Sequence, residues 1–483
     1  MAEDAQSLGT TATRGYLWAN LGLLTRFGVA LVLASVLARS LSSEEYSAMV
    51  ALTVVMLYTD TALDLGMGAS LIYEQERGHS HRVHVAFTAN SAFGVVLAVV
   101  AVLLSPLIAG LFGLEQYVPV FMMLGPLIVL TGLNTVPWAL FTRDLAFKPR
   151  AFTELFRDGS RLVVTVLLVV VADMGIWGVV WGFMASRLAW NLGTWVATRF
   201  RPVLAWDTKV VKELYAFAWR MAGNKFLGLL ALNGDYFVVG NRTNSLDLYY
   251  QAFRLPEIVM GGQLNAMSAV LFPMYSRVRS QGALALRDAM YKALRIVALF
   301  SIPVGFGLAL VARDAITVMF DTGGTAAVPT MELISITGAV TGLGFATGDL
   351  LYATNRPGLM MRINMVMVPT MLTVMWFVAP YGIEWVAAAH LGTQVVFISV
   401  RQLIVNRLIG ATLAPVLAAC LPGVAVAAGV LAVGLPLRLA TAPGLMSAVV
   451  ITAGGALGGL AVVALVRPAR ETLTEVVSKV RGG

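Results

Sequence analysis

About fourteen apolar runs, each long enough to cross a bilayer as one helix, follow one another along this chain. They fall near residues 16–38, 46–72, 85–112, 118–141, 152–172, 175–197, 215–239 and 246–273, then 288–311, 327–353, 359–379, 383–405, 412–434 and 444–466. In lipid a spanning backbone must satisfy its own polar groups, and helices do so within the segment. Composition agrees: 58% of the 483 residues are hydrophobic and 12% are charged, a mix unlike that of a soluble domain. The expected fold class is an all-α polytopic membrane protein with about fourteen transmembrane helices.

The net charge of +8 would suggest nucleic acid in a soluble protein. Here the basic residues sit in short loops between apolar runs, and every second loop is rich in them. Arg77 and Arg82, then Arg143, Lys148 and Arg150, then Arg199, Arg201, Lys209 and Lys212 belong to one side. Arg277, Arg279, Arg287, Arg356, Arg407 and the tail basic residues continue it, against only Arg39, Arg242, Arg313 and Arg438 opposite. The positive-inside rule then predicts cytoplasmic N- and C-termini. The polar, acidic start, MAEDAQSLGTTATRG, lacks a basic n-region, so the first run is expected to serve as its own insertion signal. The lone Cys420 excludes an internal disulfide.

The chain repeats itself. Arg39, Glu44 and Tyr46 recur at the same spacing as Arg242, Asp247 and Tyr249. Ile108 and Phe112 recur as Ile316 and Phe320, and Val118-Pro119 with Thr131-Gly132-Leu133 recurs as Val328-Pro329 with Thr341-Gly342-Leu343. Six runs separate each pair, so the halves keep one orientation. Two pseudo-symmetric six-helix lobes, related by an axis along the membrane normal, are expected. Their boundaries are a 1–15 cytoplasmic segment, an N-lobe at 16–197, a linker at 198–214, a C-lobe at 215–405, two added helices in 406–466 and an amphipathic cytoplasmic tail at 467–483. In the linker, Val210, Val211 and Leu214 lie opposite Lys209, Lys212 and Glu213, which suits a short helix on the membrane surface.

Charges inside the runs carry the chemistry. Arg26 sits mid-run, roughly 15 Å from either end. A cation there costs at least about 2.5–3.5 kcal/mol, so it needs a partner or a wet cavity. Arg187, Lys225 and Arg254, in the sixth, seventh and eighth runs, pose the same question. Cations converging at mid-depth would select an anion, and arginine's fork suits phosphate oxygens. Alternatively Asp64, Asp235 and Glu257 match them one for one and hold helices together. Asp60 and Asp64 share a helix face and, with Asp235, are candidates for ion coupling; they could equally partner Arg26. Glu154, Arg157, Asp158 and Arg161 open the fifth run, where headgroups and neighbour pairing would satisfy them.

Several activities lack their parts. There is no GxxxxGK[ST] loop, no loop beyond roughly twenty residues that could hold a catalytic domain, and no Ser/His/Asp or metal set. His79, His81 and His84 read as a solvated polar face. Neither a cofactor nor a metal is expected, and no nucleic-acid partner.

The stretches ARSLSSEEYSAMVAL, LDLGMGASLIYEQE, LFTRDLAFKPRAFTELFRDGSRL, GIWGVVWG and YYQAFRLPEIVMGGQLNAMSAVLFPMYSRVRS, in this order, resemble the polysaccharide exporters of the MOP superfamily. These are Wzx-type lipid-linked oligosaccharide flippases, and the resemblance over roughly residues 10–410 is nearest the colanic-acid-exporter branch. It implies a V-shaped two-lobe fold in the bacterial inner membrane and alternating access. It also implies an undecaprenyl-diphosphate-linked oligosaccharide as substrate, which would bind Arg26, Arg187, Lys225 and Arg254. Related lipid II flippases place arginines on their first and eighth helices, as Arg26 and Arg254 do. They also carry a second-helix arginine where this chain has Asp60 and Asp64, which points away from lipid II itself. The expected partners are the lipid-linked oligosaccharide, membrane lipids, and the polymerase and chain-length machinery of the same pathway. A rival reading is a cation-coupled small-molecule antiporter of the same superfamily, using Asp60, Asp64 and Asp235. An enzyme of the pathway, a polymerase or ligase, would need a long outer loop that this chain lacks.

Overall fold

The computed structural model describes residues 25–64, 79–144, 146–320 and 327–481, with backbone alone at 79–80, 217–224, 263–266, 269 and 475–481. Helix dominates the described residues, and no strand occurs among them. Helix α1 occupies 25–40, with its expected beginning outside the described residues. Then come α2 (Ser43–Asp64), α3 (His79–Leu103, then Ser105–Leu111) and α4 (Val118–Met122, then Leu124–Arg143). α5 is Phe147–Val166 with a wide π turn at Leu167–Val171, and α6 is Ile176–Thr198. α7 runs Thr208–Asn233 and Asp235–Arg242; α8 runs Leu246–Pro256, a π turn at Glu257–Gly261, and Gly262–Val278. α9 (Ala283–Phe320), α10 (Val328–Ala353), α11 (Pro357–Val378), α12 (Ile383–Ile409), α13 (Leu413–Ala440) and α14 (Leu445–Leu465) follow, and α15 (Arg467–Arg481) ends the described chain.

Among the described residues, nine helices are long and apolar enough to cross a membrane. They are α2 to α4 and α9 to α14. The helices from α5 to α8 are charged, Trp-rich or broken, which lowers their apolarity without ending the helix. Large side chains such as Val96, Leu107, Val171, Leu192, Phe377 and Leu465 point outward. An apolar exterior of this extent suits lipid rather than water. This is a multi-pass membrane protein.

The chain divides into two compact units, Met1–Asp247 and Leu248–Gly483. In the first, α3 packs on α4 and α5 on α6. Its core holds Tyr46, Leu52, Phe121, Leu127, Ile128 and Phe141, all but sealed from the surface. In the second, α9 is the hub, packed against both α10 and α13. The fit on α13 depends on Gly423, because a Cβ there would run into the Ala298 carbonyl.

The repeated motifs take like positions. Pro119 and Pro329 each stand in the first turn of a helix, where a missing N–H costs nothing. Phe112 and Phe320 are buried where α3 and α9 finish. Tyr46 and Tyr249 are buried near the starts of α2 and α8.

Two expectations need correction. The linker does not form a separate surface helix. Asp207 caps α7 by accepting from the Lys209 and Val210 amides at 2.8 and 3.3 Å, and the helix runs on to Asn233. Val210 and Leu214 are buried against Val83, Phe87, Val136 and Leu140 instead of facing a membrane surface. The fifth helix also begins earlier than expected, at Phe147. Glu154, Arg157, Asp158 and Arg161 therefore lie roughly 10–21 Å along it, and neighbour pairing satisfies three of them as expected, through Arg150–Glu154 and Arg157–Asp158.

Candidate functional site: a charge network in the first unit

Five helices of the first unit bring their charges together. On α1, Arg26 reaches α5, with Nη2 3.4 Å from Glu154 Oε1 and Nε 3.8 Å from Asp158 Oδ2. Arg150 holds the same Glu154 oxygen at 3.4 Å, and Arg157 donates to Asp158 at 2.8 Å. On α6, Arg187 donates to Asp60 of α2 at 2.5 Å, and Thr131 donates to the other Asp60 oxygen at 3.2 Å. On α7, Lys225 donates to Asp64 at 2.6 Å.

Two tryptophans tie all of these pairs together except Lys225–Asp64, whose carboxylate borders the same cavity. Trp138 of α4 and Trp190 of α6 meet edge to face, with ring centres 5.4 Å apart. The Arg150 guanidinium lies 5.1 Å over Trp138; those of Arg157 and Arg187 lie 5.9 and 5.5 Å over Trp190. Each cation–π contact adds to the stabilisation its carboxylate gives the cation. Between the pairs is a cavity of about 230 Å³ lined by Asp60, Asp64, Thr131, Thr135, Trp138 and Trp190.

The carboxylates set how this network works. A lone charge at this depth would be costly, and pairing offsets that cost. Two of the cations are not dry: the Arg26 side chain is 46% exposed, and Lys225 and its partner Asp64 are 40% and 52%. Their charges therefore remain within reach of a polar ligand.

The candidate cations Arg26, Arg187 and Lys225 all join this network. Arg254 belongs to the second unit. It donates to Glu257 at 3.0 Å and lies 5.7 Å over Tyr250, one turn before the wide turn of α8. Asp60 and Asp64 share the cavity, whereas Asp235 does not line it. Asp235 is buried at the start of the second stretch of α7, accepting from the Tyr236 amide at 3.0 Å.

The sequence reading passes over Arg401. It lies a turn inside the expected end of its run, where a charge is easily taken for an edge residue. In the second unit it is 9% exposed, donates to Thr347 Oγ1 at 3.0 Å and lies 3.7 Å from Met360 Sδ. Gly344 leaves room for it, since a Cβ there would meet its guanidinium. Among the described residues no carboxylate comes within 4.0 Å of it. The signal was present: it is an arginine in an apolar run, like Arg187.

A family model described as "Polysaccharide biosynthesis protein" matches residues 36–328. This chain belongs to that family. The chain is 27% identical over 334 residues to the succinoglycan biosynthesis transport protein ExoT of Rhizobium meliloti (strain 1021), covering 68% of this chain and 66% of ExoT. It is 22% identical over 366 residues to the lipopolysaccharide biosynthesis protein WzxC of Escherichia coli (strain K12), covering 74% and 73%. The match to ExoT thus spans just under two thirds of that relative's length. Among solved structures, the lipid II flippase MurJ in its inward closed conformation aligns with TM-score 0.75 at 13% identity, over 94% of this chain and 98% of MurJ. An inward-facing multidrug resistance MATE family transporter of the MOP superfamily aligns with TM-score 0.66 at 12% identity, over 80% and 94%. This polysaccharide biosynthesis protein therefore has the fold of the MOP superfamily.

Proposed function

We propose that this protein flips an undecaprenyl-diphosphate-linked oligosaccharide repeat unit across the bacterial inner membrane, for surface polysaccharide biosynthesis, by alternating access. It acts as a transporter and not as an enzyme. One observation carries the reading: inside a helical membrane unit, and among the described residues, the five cations Arg26, Arg150, Arg157, Arg187 and Lys225 are held by the four carboxylates Asp60, Asp64, Glu154 and Asp158. The carboxylates act as resident counter-ions that make the empty site tolerable in lipid. An arriving diphosphate displaces them from the cations and offers more oxygens in bidentate geometry. Arg26, Arg187 and Lys225 are the proposed phosphate contacts, and Arg254 of the second unit is a further one on the strength of the family resemblance. The same reading places both termini in the cytoplasm and makes the polymerase and chain-length machinery its partners.

Charge reversal tests it. Arg26→Glu, Arg187→Glu and Arg254→Glu are each expected to abolish surface polymer, with lipid-linked single repeats accumulating on the inner leaflet, at an unchanged protein level for Arg26→Glu and Arg254→Glu. Wild-type polymer from the Arg26 and Arg187 variants would overturn the assignment.

The antiporter reading meets an obstacle in the same geometry. Asp60 and Asp64 each already hold a basic group, and Asp235 lies outside their cavity. A transported cation would have to compete with Arg187 and Lys225.

A further inference from the structure

The cavity beside Arg187 and Lys225 has a wall whose chemistry can be read by elimination. Asp60 and Asp64 repel an anion placed inside it. A hydrocarbon tail would strip water from the Asp60 and Asp64 side chains, 33% and 52% exposed, and offer no donor in return, which is costly. A small inorganic cation would find both carboxylates occupied, one by Arg187 at 2.5 Å and one by Lys225 at 2.6 Å. The occupant that remains is neutral, rich in hydroxyls, and apolar on one face. Its hydroxyls would donate to Asp60, to Asp64 and to the Thr135 hydroxyl, whose own proton goes to the Thr131 carbonyl. Its apolar face would pack on the half-buried Trp138 ring. Trp190, which also lines the cavity, has a buried indole N–H with no acceptor among the described residues.

We propose that this cavity seats the pyranose ring attached to the diphosphate, so that the first unit carries a sugar subsite next to its phosphate-binding cations. The inference rests on the diphosphate reading above and deepens it. It also gives the ion pairs a second use. Once phosphate holds Arg187 and Lys225, Asp60 and Asp64 are released, and their oxygens become acceptors for sugar hydroxyls. The counter-ions of the empty site are the sugar ligands of the filled one.

The test uses the full-length protein in lipid nanodiscs. Affinity is measured for farnesyl diphosphate and for farnesyl-diphosphate-linked glucose, galactose and N-acetylglucosamine. Wild type should bind at least one sugar-bearing probe about tenfold more tightly than the bare diphosphate. Trp190→Phe keeps the ring under its cations and removes only the N–H; Trp138→Phe keeps a ring under Arg150 and narrows the half-exposed apolar face. Each should weaken the preferred sugar probe about fivefold, the scale of one hydrogen bond or ring contact, and leave the bare diphosphate within twofold. Sugar probes that bind no better than the bare diphosphate overturn the proposal, as does a full sugar preference retained in both variants. Sodium-dependent binding without a sugar preference would assign the cavity to a cation and also overturn it. Arg187→Gln keeps the two readings apart. Loss of affinity for bare and sugar-bearing probes alike supports the phosphate contact. Unchanged affinity for bare diphosphate removes that contact, and the sugar subsite then stands or falls on its two tryptophan variants.

Discussion

Asp60 answers to two neighbours, the Arg187 guanidinium and the Thr131 hydroxyl. Arg187 is the less exposed partner, at 13%. Removing the carboxylate therefore leaves a poorly hydrated cation without its anion, which costs more than the pair contributes. Asp60→Asn should destabilise the protein by about 1–3 kcal/mol, read as a lower unfolding temperature in detergent. Asp60→Asn with Arg187→Gln should recover a good part of that loss, because the stranded charge is gone. A double variant as unstable as both singles together would refute the coupling. Arg401 gives the opposite lesson. Among the described residues its partners are a hydroxyl and a thioether, not a carboxylate. Arg401→Met removes a buried charge while keeping much of the volume, whereas Arg401→Lys keeps the charge and loses the Nε donor to Thr347. The Met variant should melt above the Lys variant; the reverse order would mean that the charge itself is needed for the fold.

At the scale of elements, the second unit is assembled by backbone approach. Gly423 of α13 has the Ala298 carbonyl of α9 in the space a Cβ would take. Gly307, also on α9, has only a Val430 methyl at 3.9 Å. Gly423→Ala should cost about 1–3 kcal/mol by forcing the helices apart. Gly307→Ala should be neutral or stabilising by about 0.5–1 kcal/mol, because alanine is the better helix former and has room. Thermal unfolding of the two variants separates local space from a general intolerance of substitution. Helix positions of this kind were largely legible in the sequence. Apolar runs report length directly, and the runs expected from 118 and 327 begin as helices at Val118 and Val328. The linker was not legible: Lys209, Lys212 and Glu213 looked like a surface face, and only Val83 and Phe87, more than a hundred residues away, decide that Val210 and Leu214 are buried. The site was legible in part for the same reason. That Arg187 needs an anion follows from its run; that the anion is Asp60, 127 residues earlier, depends on how α2, α4 and α6 meet.

For the whole molecule, the alternating basic loops make a prediction about sidedness. Alkaline phosphatase fused after Arg242 should be active, because that loop is expected outside. A fluorescent protein fused in the loop at 199–207 should glow, because that loop is expected in the cytoplasm. An inverted pattern would overturn the cytoplasmic placement of both termini. One last feature bears on Arg254. The wide turn at Glu257–Gly261 follows it closely in α8 and, like any π turn, accommodates an extra residue compared with a regular α-helical turn. Shortening that turn by one residue would let the hydrogen-bond ladder close without a gap. Everything upstream would then pivot by about 100° against the rest of the helix. Arg254 and Tyr250 would swing together to another side of the rod, as a dial turns by one notch.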